Sequence, residues 1–303
     1  MRTVYLGTSD FAATVLRRLA DSAHRPSLVV TPPDRRRGRG RRMGSPPAAD
    51  AARELEIDLL QAASVNDAEA VERIRAAEAD LAAVCAFGQL IKDPLLSELE
   101  MLNVHPSLLP RWRGAAPIER AIMAGDAETG VTILQVTAGL DSGPIAEREA
   151  MPIDPGDDFA SIEPKLAELS GELLVRALDL RAAGELELRE QDEAEVTYAE
   201  KIAPEDRRLD PLRPAGELER AVRALNPHIG TYLQLEGEER LGVRRAEAVP
   251  GQLGPGEMLV GEGELALGTG DGILKLLEVQ APGGKPMPAE AYLRGHPAPS
   301  QAL

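Results

Sequence analysis

At 303 residues the chain exceeds the size at which one hydrophobic core usually keeps growing, so two domains are expected. Hydrophobic residues at 43% and charged residues at 28% exclude a chain disordered throughout, and no run approaches the ~20 apolar residues of a membrane helix. A formal charge of −16 argues against general adhesion to nucleic acid, the single Cys85 permits no internal disulfide, and the histidines at 24, 105, 228 and 296 lack metal-ligand spacing. A soluble protein of a reducing compartment, the cytoplasm, without a metal, is the expectation.

Val4 to Leu6 reads as a strand that begins within the first residues, which is not the pattern of a signal peptide. Gly7-Thr8-Ser9-Asp10 is a turn whose Thr8, Ser9 or Asp10 can cap the helix predicted from Phe11 to Ala20. It lacks G-x-G-x-x-G, so dinucleotide binding is not supported. A strand from Ser27 to Thr31 precedes D-R-R-R-G-R-G-R-R from Asp34 to Arg42, six arginines against one aspartate on an otherwise acidic chain. Pro46-Pro47 opens the next helix. Strands follow at Ile57 to Gln61, Leu81 to Phe87, Met101 to Val104 and Val131 to Thr137, with a helix from Asn66 to Ala79 between the first two. This alternation predicts an α/β domain with a Rossmann-like, mostly parallel sheet and helices on both faces. A long helix from Asp157 to Ala183 closes it, giving a first domain over 1–187. Charged residues and prolines mark 188–205 as a linker. The remaining 206–303 opens with a short helix from Glu217 to Leu225. Strands then follow at 231–235, 241–244, 257–260, 265–267 and 273–279, the last two joined by a Thr269-Gly270-Asp271-Gly272 turn, which suits a small OB-like β-barrel.

The densest run of unusual residues extends from Asn103 to Pro117, starting at the carboxyl end of a predicted strand, where open α/β sheets bind ligands. Asn103 and His105 are two apart, so an extended backbone places both side chains on one face. An amide donor beside a titratable ring suits acyl transfer: the amide stabilises an oxyanion and the ring takes a proton from an attacking amine. A satisfied loop histidine beside a strand-end hydrogen bonder fits the same spacing. Asp141, between Gly139 and Gly143 after another strand, is either the carboxylate that orients such a ring or an ordinary turn aspartate.

Together, Gly7-Thr8-Ser9-Asp10-Phe11-Ala12, Thr31-Pro32-Pro33-Asp34-Arg35 with Gly38-Arg39-Gly40, the stretch from Asn103 to Pro117, Gly130-Val131-Thr132-Ile133 with Gly139-Leu140-Asp141-Ser142-Gly143, and Val196-Thr197-Tyr198-Ala199 resemble the methionyl-tRNA formyltransferase family. The resemblance covers most of 1–200 in order and spacing and continues more weakly through Asn226-Pro227 and Gly270-Asp271-Gly272, although His228 stands where the family commonly has tryptophan. The Asn-x-His and distal Asp combination is common to formyltetrahydrofolate-using enzymes, so it implies the chemistry more than the substrate. The implied activity is formyl transfer from 10-formyltetrahydrofolate, as cosubstrate and without a metal, to the amine of initiator methionyl-tRNA by a monomer. Asn103, His105 and Asp141 are the implied catalytic residues. Ser107, Leu108, Leu109 and Pro110, with Phe87, Gly88, Leu90 and Ile91, are the implied folate contacts.

The resemblance also assigns Arg35, Arg36, Arg37, Arg39, Arg41 and Arg42 to the tRNA acceptor end. Guanidinium groups suit this, because their planar fork donates two parallel hydrogen bonds to phosphate. A solvated polybasic loop, an anionic-membrane contact, or a nucleotide-phosphate clamp in a small-amine formyltransferase uses the same residues. The C-terminal domain, a tRNA contact by the same resemblance, has eleven Lys or Arg against fourteen Asp or Glu.

Overall fold

The protein, a computed structural model, is described for residues 1–37, 42–236, 239–261, 263–297, 299 and 301–303. These form two compact units. The first comprises Met1–Gly114, Thr129–Pro152 and Glu163–Tyr198; the second comprises Ala115–Glu128, Ile153–Ile162 and Ala199–Leu303.

Up to residue 199 the elements run β1 (Thr3–Gly7), α1 (Asp10–Ala20), β2 (Pro26–Thr31), β3 (Arg35–Arg37), β4 (Arg42–Gly44), α2 (Pro47–Glu54), β5 (Asp58–Gln61), α3 (Ala68–Arg75) and β6 (Leu81–Cys85). They continue with α4 (Leu95–Glu98), β7 (Met101–His105), β8 (Arg113–Gly114), α5 (Pro117–Ala124), β9 (Glu128–Gln135), β10 (Ile145–Pro152), α6 (Phe159–Ala183) and β11 (Tyr198–Ala199). The main sheet of the first unit has seven strands in the order β10-β9-β7-β6-β1-β2-β5. From β7 to β5 every pairing is parallel, and β9 joins β7 antiparallel. This is the Rossmann-like sheet expected.

Its strands read as continuous apolar runs because both faces are covered. Val4 and Leu6 face a core that contains Val71 and Ile74 of α3. Tyr5 between them points the other way and donates its hydroxyl to the Ala12 carbonyl of α1 (2.6 Å). Ser9 caps α1, its hydroxyl accepting from the Ala12 N–H. The strand expected to reach Phe87 stops at Cys85, since Ala86 turns left-handed (φ 43°). Edge strand β10, with sequence IAEREAMP, escaped prediction: its three consecutive charged residues leave little apolar alternation.

Cys85 on β6 is fully buried, and burial pushes its thiol up to about 12 despite a hydrogen bond with Tyr5. The reactive thiolate is therefore essentially unpopulated in the native state. A disulfide reagent at about pH 8 is expected to titrate no thiol in the folded protein and one after denaturation. Stoichiometric reaction of the native protein would refute this.

In the second unit α7 (Ala215–Leu225) precedes β12 (Thr231–Gln234), β13 (Arg240–Val249), β14 (Met258–Gly261), β15 (Glu264–Gly268), β16 (Ile273–Gln280), β17 (Met287–Pro288) and α8 (Ala289–Gly295). The strands form a sheet in the order β12-β13-β16-β15-β14, with β17 on β16, and these pairings are all antiparallel. Bridges from Leu235 to Ala302 and from Glu257 to Gln301 lay the last residues between the two ends of that path. Leu218 and Val222 of α7 enter a core with Leu233, Val243, Leu267 and Leu274. Helix α5 packs on α7, where Arg220 Nε donates to the Met123 carbonyl (3.1 Å). His228 stacks on Phe159 with ring centroids 3.7 Å apart, and its Nε2 lies 3.1 Å from Glu119 Oε1.

Among the described residues no helix is long and apolar enough to cross a membrane, and no group of three His, Cys, Asp or Glu could hold a metal ion.

Candidate active site

Strands β6 and β7 run parallel, and β9 returns antiparallel along β7, so that the loop after β9 starts beside Met101 and Leu102 at the beginning of β7 and folds back toward Asn103 and His105. The amide N–H of Val136 bonds to the Met101 carbonyl, and that of Gln135 to the Pro144 carbonyl, both at 2.9 Å, which ties down the entry and exit of this loop. At its tip Asp141 has φ 46°, a left-handed conformation that aspartate tolerates better than most residues.

The loop carries the Asp141 carboxylate to the residues on β7. Oδ1 accepts from Asn103 Nδ2 (3.4 Å), Oδ2 accepts from the Gly114 backbone N–H (2.9 Å), and His105 Nδ1 lies 3.6 Å from Oδ2. On the other edge of the ring, His105 Nε2 is 2.8 Å from the Trp112 carbonyl. A carbonyl only accepts, so Nε2 is the protonated nitrogen of that contact. The imidazole is 4% exposed. All three predicted catalytic residues therefore meet, the first two on one face of β7 and the third from the loop after β9.

A cleft of about 290 Å³ opens at this point, lined by Asn103, Asp141, Leu90, Ile91, Val136 and Leu140 among others. His105 stands behind Asp141 and is not part of the lining. Leu90 is held there by its neighbour Gln89, whose side chain accepts from the Val65 N–H (2.8 Å) and donates to the Ala62 carbonyl (3.2 Å). Phe87 is buried in the core below, its carbonyl accepting from the Thr8 hydroxyl (2.8 Å), and Gly88 turns with φ 75°.

The other predicted folate contacts lie elsewhere. Ser107 and Leu109 are fully buried: the Ser107 hydroxyl donates to the Arg111 carbonyl (2.7 Å), and Thr132 Oγ1 bridges the Ser107 carbonyl and the Leu109 N–H. Leu108 is half-buried and packs toward Gly130. Pro110 lines a separate, larger cavity of about 510 Å³ with Arg148 and Gln191.

Of the arginine run, residues 35–37 and 42 lie on the paired strands β3 and β4, with Arg35 and Arg36 exposed. Arg39 and Arg41 fall outside the described residues. At the foot of β3 Asp34 accepts from Gln61 (2.8 Å), which holds its carboxyl below the usual range. In the second unit Arg207, Arg208 and Arg220 donate to backbone carbonyls. Arg223, Arg244 and Arg245 share a cleft of about 240 Å³ with Asp158, Glu219 and Glu247, so its charges balance.

Sequence reasoning missed Gln191 and the buried Arg113. Gln191 sits within the segment read as a linker, yet its Nε2 donates to the carbonyls of Asp141 (2.8 Å) and Gly143 (2.7 Å). Nothing in an isolated glutamine among charged residues signals such a contact.

Residues 1–178 match the family model of formyl transferases and residues 201–297 that of the formyl transferase C-terminal domain. The methionyl-tRNA formyltransferase of Methylobacillus flagellatus is 42% identical over 300 residues, covering 98% of this chain and 97% of that one. That of Halorhodospira halophila is 42% identical over 301 residues, covering 97% and 96%. Among solved structures, HypX from Aquifex aeolicus in complex with tetrahydrofolic acid superimposes with a TM-score of 0.65 at 20% identity, over 97% of this chain and 47% of that one. The sugar 3N-formyl transferase WlaRD gives 0.66 at 15% identity, over 91% and 97%. These two structures share the fold.

Proposed function

The chain belongs to the methionyl-tRNA formyltransferase family, and on that footing we propose that it moves the formyl group of 10-formyltetrahydrofolate to the free α-amine of initiator methionyl-tRNA through a tetrahedral intermediate. The observation that carries the reading is the meeting of Asn103, His105 and Asp141 beside one cleft.

The cleft suits a flat ring system with a polar reacting end: Leu90, Ile91, Val136 and Leu140 give apolar walls, and Asn103 and Asp141 supply the polar groups. Asn103 gives one amide hydrogen to Asp141, which leaves the second for the formyl oxygen as it gains charge. The amine adds to the formyl carbon and loses a proton; the donor nitrogen takes up a proton as its bond to that carbon breaks. His105 and Asp141 together carry that proton. Because the ring is buried behind the carboxylate, Asp141 is the member of the pair that meets the cleft, and His105 acts through it or through an intervening water. No redox change or metal is required by this balance.

Arg35 and Arg36, exposed on β3, support the tRNA part of the reading, as cationic groups on an acidic chain. Incubation with 10-formyltetrahydrofolate and three acceptors in parallel, methionyl-tRNA, free methionine and an amino sugar, is expected to give formylated product only on the charged RNA. Equal formylation of the amino sugar would move the protein to small-amine chemistry. No product on any acceptor would remove the catalytic reading.

A further inference from the structure

The carboxylate of Asp141 depends on a backbone conformation that an L-residue disfavours, with φ at 46°. Something outside the loop must over-determine it, and the contacts converge on one side chain. Gln191 Nε2 has two hydrogens and meets two carbonyls, those of Asp141 at 2.8 Å and Gly143 at 2.7 Å. The carbonyls flank Ser142, so a single amide group fixes the turn that presents the carboxylate. We propose that Gln191 is a positioning residue for formyl transfer, holding Asp141 in register with Asn103, His105 and the Gly114 N–H. This rests on the role given above to Asp141.

The amide is itself held in one orientation. Its Oε1 accepts from Arg113 Nε (3.0 Å) and Nη2 (2.9 Å), and Arg113 is 3% exposed, its Nη2 also paired with Glu193 Oε1 at 2.8 Å. A guanidinium has only donors and the two carbonyls have only acceptors, so only a side chain with an acceptor on one branch and donors on the other bridges them. Glutamate at 191 would turn oxygen toward both carbonyls, and lysine would turn ammonium toward the guanidinium. The next residue after Arg113 is Gly114, whose N–H binds Asp141 Oδ2 (2.9 Å). The carboxylate and the backbone that carries it are thus both referenced to the same buried arginine. Displacement of a reacting group by about 1 Å costs on the order of 100-fold in rate.

The test measures kcat, KM for methionyl-tRNA and the thermal midpoint for full-length Gln191→Ala, Gln191→Glu, Asp141→Ala and the Gln191→Ala, Asp141→Ala double variant. Gln191→Ala is expected to lower kcat by about 10- to 100-fold with KM unchanged. Gln191→Glu keeps its pairing with Arg113 and a near wild-type midpoint, but is expected to match the alanine variant in kcat because the donors are gone. Once Asp141 is removed the amide has no carboxylate to place, so the double variant is expected to be no slower than Asp141→Ala. Wild-type turnover by Gln191→Glu, or multiplicative losses in the double variant, would overturn the proposal. Wild-type turnover by Asp141→Ala would overturn the catalytic reading on which it rests; a slow Asp141→Ala beside an unimpaired Gln191→Ala would remove the positioning role alone.

Discussion

Asn103→Ala is expected to lower kcat for formylation of methionyl-tRNA by about 10²- to 10³-fold, or about 3 to 4 kcal/mol of transition-state stabilisation, while leaving KM for both substrates little changed. The asymmetry follows from where its amide hydrogens go. One is committed to Asp141 Oδ1 at 3.4 Å, a long bond that contributes little in the ground state. The other has its strongest partner only when the formyl oxygen becomes anionic, so its loss falls on the chemical step. Asn103→Asp sharpens the test. A carboxylate there would lie against Asp141 and repel the developing oxyanion, so it is expected to be at least as slow as alanine despite its matching shape. His105→Ala is expected to lose about 10²- to 10⁴-fold in kcat by removing a proton carrier. Single-turnover rates with saturating substrates check all three, and unchanged rates for Asn103→Ala would leave the oxyanion without its assigned donor.

How much of this was legible in the sequence depended on the range of the contacts. Asn103 and His105 share a face because side chains alternate along a strand, and period two is visible in one chain. The first sheet was legible for a related reason: strands buried on both faces, such as Leu81–Cys85, leave uninterrupted apolar runs. Asp141 was visible as a turn aspartate, but its contact with His105 depends on β9 pairing antiparallel to β7, and pairing partners are not written in local periodicity. The resemblance pointed to Ser107 and Leu109; that both are fully buried, with hydrogen bonds to Arg111 and Thr132, was not legible, because an irregular bend carries no period from which facing can be read. Gln191 lay furthest from view. Its segment has few apolar residues and little regular structure, so its hydrogen bonds to Asp141 and Gly143 leave no trace in composition. The second unit gave up its antiparallel strands through turn residues, whereas its use of Ala115–Glu128 and Ile153–Ile162 arises only in three dimensions.

Gly143→Ala is expected to be the most damaging substitution that touches no proposed site side chain, because the loop that carries Asp141 leaves the β9 end through a contact with no room for a methyl group. A Cβ at 143 would stand 1.8 Å from the Gln135 carbonyl oxygen and 3.0 Å from its carbon. Both are backbone atoms of the strand end, so no rotamer change relieves the overlap; either the loop or the strand must move. Gly143 is not among the glycines with positive φ, so the requirement is for space and not for a left-handed backbone. Displacement would strain the Gln135 N–H to Pro144 carbonyl bond (2.9 Å) and draw the Gly143 carbonyl away from Gln191 (2.7 Å), shifting Asp141 from Asn103 and His105. The expected result is a fall in kcat/KM of about 100-fold or more with a loss of stability of about 1 to 3 kcal/mol. Gly139→Ala is the control within the same loop. Its added Cβ would meet Ser142 Oγ at 2.2 Å, the end of a side chain that can rotate away at the cost of an exposed 3.3 Å contact with Thr137. It is expected to stay within a few-fold of wild type, since side-chain relief leaves the backbone of Asp141 in place. Chemical denaturation and steady-state kinetics on the pair decide the matter: equal, mild effects would mean that the loop does not set the geometry of the carboxylate.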